Sequence, residues 1–183
     1  MKALNIAVLG ATGAVGQEMI KILAEYDIPV NELRPLASAK SVGKCVSFKG
    51  KDVPIQEAND NAFEGLDFVL GAVEGDMSKR FAPAIKKSGA VYIDNSSAFR
   101  LDPDVPLVVP EINGADAFEN HGMIANPNCC TVITLMAVAA INNLSPIEKM
   151  IVCTYQAVSG AGTNGINELN TRSSRISNTM VRR

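Results

Sequence analysis

Histidine is nearly missing from this chain of 183 residues, where His121 is the only one. A single imidazole leaves little material for a zinc or iron site. The four cysteines, Cys45, Cys129, Cys130 and Cys153, add no paired metal-type spacing, so no metal is expected. Adjacent cysteines such as 129 and 130 are poorly placed to bridge each other, and reduced thiols are expected throughout. The sequence also lacks an apolar run long enough to span a bilayer and a signal-peptide h-region, which points to a cytoplasmic protein with no membrane partner. A net charge of −2 gives no general attraction to nucleic acid or anionic lipid. Repeats and low-complexity segments are absent.

What the chain does contain is apolar material, 47% of its residues, enough for the core of one medium domain or of one domain plus part of another. Residues 171–183 stand apart, with four arginines and no acid. They read as a frayed polar terminus.

Residues 4–9 (LNIAVL) form a continuous apolar run of strand length, followed by glycines at 10, 13 and 16 and a helix with apolar positions Val15, Met19, Ile20 and Leu23. A second strand is expected to end near Leu36 or Ala37. Residues 67–72 (DFVLGA) and 90–94 (AVYID) read as further strands flanking a helix over about 77–87, which contains Pro83. Strand, helix, strand implies a right-handed parallel crossover. Short apolar runs follow at 107–109 and 122–125, then a helix over 131–141, a longer strand over 150–158 and the opening of a helix over 162–169. The expected architecture is α/β: a Rossmann-like, doubly wound, mostly parallel sheet over residues 1–129. Residues 130–183 would open a second, α+β domain.

The glycine turn (GATGAVG) has the spacing G-x-x-G-x-x-G rather than G-x-G-x-x-G. Positions without side chains let the backbone approach a pyrophosphate, whose charge then sits at the N-terminus of the following helix. Gly10, Thr12, Gly13, Ala14, Val15 and Gly16 are therefore candidate cofactor-binding positions. At the end of the second strand, where an NAD-binding fold usually offers an acid to the ribose, stand Ser38, Ala39, Lys40 and Ser41. Two hydroxyls and an ammonium suit a 2′-phosphate, so NADP is preferred over NAD.

Residues 94–100 (DNSSAFR) end a strand and carry Asn95 and Arg100. The arginine presents a planar fork that matches phosphate or carboxylate, although a structural arginine would fit the same segment. Residues 126–129 (NPNC) place Cys129 between a short apolar run and an apolar helix. A cysteine at such a turn meets unpaired backbone N–H groups and the positive end of a helix dipole, which favour thiolate. The alternative is a small buried hydrophobe. Residues 155–162 (YQAVSGAG) offer Gln156 to orient a polar substrate, and Ser159 and Gly160 to touch a cofactor. His121, in a polar connection, reads as a surface residue rather than a base.

These five segments, in this order and spacing, resemble those of aspartate-β-semialdehyde dehydrogenases over roughly residues 3–170. The resemblance implies NADPH-dependent reductive dephosphorylation of L-aspartyl-4-phosphate to aspartate semialdehyde, in lysine, threonine and methionine biosynthesis, by a homo-oligomeric enzyme. By the same resemblance Cys129 is the nucleophile that forms a thioester, Arg100 holds the substrate phosphate and Gln156 positions the substrate. Thr12 to Val15, Lys40, Ser41, Ser159 and Gly160 match cofactor contacts. Related reductases of N-acetyl-γ-glutamyl phosphate use the same logic, and a non-catalytic nucleotide-binding fragment is a third reading. Two departures stand out: Val73, Glu74 and Gly75 replace a run of small residues, and family members are about twice as long, with a catalytic histidine in their second half. The chain by itself is therefore expected to bind NADP weakly and to turn over little.

Overall fold

The apolar run 4–9 becomes the central strand, Leu4–Leu9 (β1), of a computed structural model that describes residues 2–26 and 28–180. Helix α1 (Ala14–Glu25) returns across one face of β1, and β2 (Val30–Ala37) pairs with β1 in parallel. A small antiparallel hairpin follows, β3 (Cys45–Phe48) and β4 (Lys51–Pro54), then a two-residue edge strand β5 (Gln56–Glu57) beside β2. On the other side of β1 lies β6 (Phe68–Gly71), followed by α2 (Gly75–Ser88) and β7 (Val91–Asp94). A short α3 (Pro110–Asn113) and a 3-10 turn lead to β8 (Met123–Ala125), which pairs with β7 and runs into α4 (Cys129–Leu144).

The strand order is β5-β2-β1-β6-β7-β8, and every pairing in this six-stranded sheet is parallel. This is the doubly wound Rossmann-like architecture expected from the sequence. Alternate β1 side chains explain the largely apolar run. Ile6 and Val8 pack with Ile20 and Leu23 of α1, whereas Ala7 and Leu9 pack with Phe81, Ala82 and Ile85 of α2. A strand covered by helices on both faces favours apolar residues at successive positions, and the one polar residue of β1, Asn5, lies near its N-terminal end and bonds the Gly65 carbonyl at 2.9 Å.

The chain divides into two compact units, Met1–Glu148 and Lys149–Arg183. Two expectations for the second unit are corrected. Residues 151–157 form no strand. A strand is stable only when its N–H and C=O groups pair with a neighbour, and among the described residues none pairs with this segment. The arginine-rich segment does not fray from residue 171: a 3-10 turn (Val158–Ala161) leads into α5 (Gly162–Met180), which covers its residues 171–180. Arg172 pairs with Glu168 one turn earlier at 2.6 Å, and such i,i+4 pairs favour continuation of a helix. Residues 181–183 lie outside the described part.

Candidate functional site

Because the sheet strands are parallel, their C-terminal ends share one edge, and the loops leaving β1, β2, β6, β7 and β8 converge there. The strand order reverses direction between β1 and β6, the crevice where open α/β sheets take ligands.

The β1 loop is built for close approach. Gly10 adopts φ +90°, and a Cβ there would overlap the Ala72 carbonyl at the end of β6. Its N–H and that of Ala11 donate to the Leu36 carbonyl at 2.8 and 3.0 Å, which ties the turn to β2. A Cβ on Gly16 would overlap the Gly10 carbonyl, so glycine lets α1 start hard against the turn. Thr12, Gly13, Ala14 and Val15 are exposed around the first turn of α1. The Gly13 N–H donates to the Gly10 carbonyl at 3.0 Å, whereas the N–H groups at the start of α1 are of the kind a helix leaves open to an anion. These residues fit a dinucleotide pyrophosphate. At the end of β2, Ser38 and Lys40 are exposed and Ser41 half-buried around a 3-10 turn over Ala39–Ser41. At the end of β6 the divergent segment places exposed Glu74 at the N-cap of α2, without a side-chain capping bond.

The loops after β7 and β8 form one hydrogen-bonded assembly. Asn95 donates through its backbone N and through Nδ2 to the Gly71 carbonyl, at 3.3 and 3.0 Å. Its Oδ1 accepts from Asn126 Nδ2, and the Asn126 backbone N donates to the Asp94 carbonyl at 2.8 Å. Half-buried Arg100 donates through Nη2 to the Asn95 carbonyl (2.7 Å) and through Nε to the Asn126 carbonyl (2.9 Å). The structural and ligand-binding readings of Arg100 are thus compatible, because part of its donor set remains outside these two bonds.

Cys129 is the first residue of α4 and is exposed, so within this chain it is not packed as a small buried hydrophobe. Asn128 caps the helix: its Oδ1 accepts from the Cys130 backbone N at 2.9 Å and lies 4.0 Å from Cys129 Sγ. His121 is exposed and precedes β8, whereas Cys129 follows it, so the imidazole is at the opposite edge of the sheet. Gln156, Ser159 and Gly160 belong to the second unit. There Gln156 is exposed, with Nε2 donating to Thr154 Oγ1 at 3.1 Å. Ser159 and Gly160 lie in the 3-10 turn, the Ser159 side chain falling outside the described part.

Sequence reading missed the buried support beneath this edge. Asp94 is fully buried; its Oδ2 accepts from Ser96 Oγ at 2.6 Å and its Oδ1 from Ser96 N and from the Tyr92 hydroxyl, at 3.1 and 3.3 Å. Ser78 Oγ extends the chain to Tyr92 at 2.9 Å. Burial, reinforced by the Asp94 charge, pushes the Tyr92 hydroxyl well above the usual tyrosine range, so it stays a donor at neutral pH. Asp-x-Ser at a strand end is a turn signal that points to the Asp94–Ser96 part. Among the described residues, no three histidine, cysteine or acidic side chains are grouped to hold a metal, and no helix is long and apolar enough to cross a membrane.

Residues 5–121 match a family model described as "Semialdehyde dehydrogenase, NAD binding domain". Aspartate-semialdehyde dehydrogenase of Synechocystis is 49% identical over 166 residues, 91% of this chain and 49% of its own length. That of Bacillus subtilis is 46% identical over 177 residues, 97% of this chain and 51% of its own length. The crystal structure of Vibrio cholerae aspartate semialdehyde dehydrogenase II complexed with ASA superposes with a TM-score of 0.91 at 42% identity, covering 98% of this chain and 54% of that one. The chain thus spans about half the length of the relatives it matches.

Proposed function

We propose, from the premise that this chain belongs to the aspartate-semialdehyde dehydrogenase family, that it carries the nucleotide-binding and nucleophilic part of an NADPH-dependent reductase of L-aspartyl-4-phosphate. The observation that carries this reading is Cys129 exposed at the first position of α4, following directly on the loop whose Asn126 carbonyl is held by Arg100.

In this reading the substrate phosphate is held by Arg100 through the guanidinium hydrogens not given to Asn95 and Asn126, with Asn95 beside it. The Cys129 thiolate attacks the acyl carbon, the C–O bond to phosphate breaks, phosphate leaves, and a thioester remains on Sγ. NADPH, when bound, supplies hydride to that thioester. Gly10, Thr12, Gly13, Ala14, Val15 and Gly16 hold the pyrophosphate. Ser38, Lys40 and Ser41 supply two hydroxyls and a cation for a 2′-phosphate, with no acid among residues 38–41 to repel it, which supports NADP over NAD. Gln156 orients the substrate, and Ser159 and Gly160 touch the cofactor. The functional boundary is proposed after residue 129.

The reading extends to a cytoplasmic homo-oligomer serving lysine, threonine and methionine synthesis. Self-association is supported by α4, an apolar helix none of whose residues is buried in the chain. Turnover by the 183-residue chain is proposed to be slow, because its only imidazole is at the wrong edge of the sheet.

The test is acyl capture. Mixing the protein with L-aspartyl-4-phosphate should release phosphate in a burst near one equivalent and add an aspartyl mass to the peptide containing Cys129. Cys129→Ser should do neither. A wild-type protein that releases no phosphate and gains no adduct overturns the reading.

A further inference from the structure

Arg100 is held in place before any substrate arrives. Its Nε donates to the Asn126 carbonyl and its Nη2 to the Asn95 carbonyl, so the edge of the guanidinium that most readily brackets an oxyanion is already engaged by backbone. What it offers an anion is the opposite, Nη1 side.

Asn126 meets this assembly at three points. Its carbonyl takes Arg100 Nε, its backbone N–H donates to the Asp94 carbonyl, and its side chain donates to Asn95 Oδ1. The Asp94 end is anchored: its carboxylate is fully buried and hydrogen-bonded by Ser96 and Tyr92. On the other side of Asn126 the chain has little freedom before the nucleophile: buried Pro127, with its restricted φ, then Asn128, whose side chain caps α4, then Cys129.

We propose that Asn126 is a positioning residue that fixes the Cys129 thiol relative to Arg100. The proposal rests on the reading of Arg100 as the phosphate ligand and goes beyond it. The two ends of the acyl phosphate, carbonyl carbon and phosphate, are met by groups on different loops, and Asn126 is the residue hydrogen-bonded to both neighbouring segments. Its loss should slow Cys129, because an exposed thiol faces the open N–H groups of a helix end only while the turn before that helix is held.

The test uses Asn126→Ala, which removes the side-chain bond, and Asn126→Asp, which keeps the shape and loses the donor. In wild type and both variants, iodoacetamide labelling rates are measured at Cys129 and, as internal reference, at exposed Cys45 in the β3–β4 hairpin, with and without inorganic phosphate; thermal unfolding is followed in parallel. The Cys129 to Cys45 rate ratio should fall about fivefold in both variants, the factor carried by one hydrogen bond of ordinary strength, and phosphate protection of Cys129 should weaken. A merely structural role would lower the unfolding midpoint and leave the ratio unchanged, and an unchanged ratio overturns the proposal. Failure of phosphate to protect wild-type Cys129 would count against the Arg100 reading instead, with the ratio still deciding the role of Asn126.

Discussion

Tyr92 shows how one buried hydroxyl serves the site without touching it. Its ring is fully buried beneath β6, and its hydroxyl links Ser78 to the Asp94 carboxylate at the root of the Asn95 and Asn126 loops. Burial holds the hydroxyl neutral well beyond the range in which an unfolded tyrosine ionises. The folded state therefore binds a proton that the unfolded state releases above about pH 10, and the stability this contributes is full below that pH and lost as pH rises beyond it. In urea unfolding across that range, wild type should lose stability more steeply than Tyr92→Phe. At neutral pH the Phe variant should be less stable by about 1–3 kcal/mol, the usual cost of orphaning buried hydrogen-bonding groups. Parallel slopes would mean that the hydroxyl is not kept neutral by the fold.

At the scale of elements, α4 depends on its cap more than a core helix does. It has sixteen residues and none is buried, so tertiary packing contributes little to its formation, and the Asn128 side chain satisfies one of the open N–H groups of its first turn. Asn128→Ala should cost about 1 kcal/mol of local stability, read as faster amide hydrogen exchange over residues 130–132, whereas Asn128→Asp or Asn128→Ser should restore protection. Equal exchange in all three variants would assign the helix start to something other than the cap.

The same scale explains what the sequence revealed. Strands β1, β6 and β7 were legible because they are covered on both faces and read as largely apolar runs, and α1 because Val15, Met19, Ile20 and Leu23 fall at helical spacing; of these Ile20 and Leu23 are buried, whereas Val15 is exposed. The β3–β4 hairpin was not legible. Its two-residue turn puts Lys49 at φ 47° and Gly50 at φ 76°, a conformation usually announced by Asn-Gly or Asp-Gly and here occupied by Lys-Gly. Residues 150–158 misled in the opposite direction: apolar content signals a strand only where a partner ladder exists. Cys129, Arg100 and Asn95 could be placed at one edge from strand direction alone. The role of Asn126 could not, since its bonds to Asn95 and Arg100 span 31 and 26 residues of sequence.

The whole molecule separates two abilities that the proposed chemistry needs together. Cys129, Arg100 and the glycine turn lie along the C-terminal edge of one sheet, while the only imidazole precedes β8 at the other edge. Attack by a thiolate and departure of phosphate need no proton donor on the protein, so the first half-reaction depends only on groups already at the edge. Completing the cycle needs hydride to add to the thioester and the thiolate to leave, and a positioned acid–base group that stabilises the oxyanion formed on the way commonly contributes about a hundredfold to ten-thousandfold. The 183-residue protein should therefore release about one phosphate per Cys129 in a burst and then turn over slower than a full-length relative by a factor of that order. Rapid mixing of protein, L-aspartyl-4-phosphate and NADPH, with phosphate release and NADPH absorbance followed together, separates the phases. A steady rate equal to that of a full-length relative would show that this edge of the sheet supplies its own proton transfer.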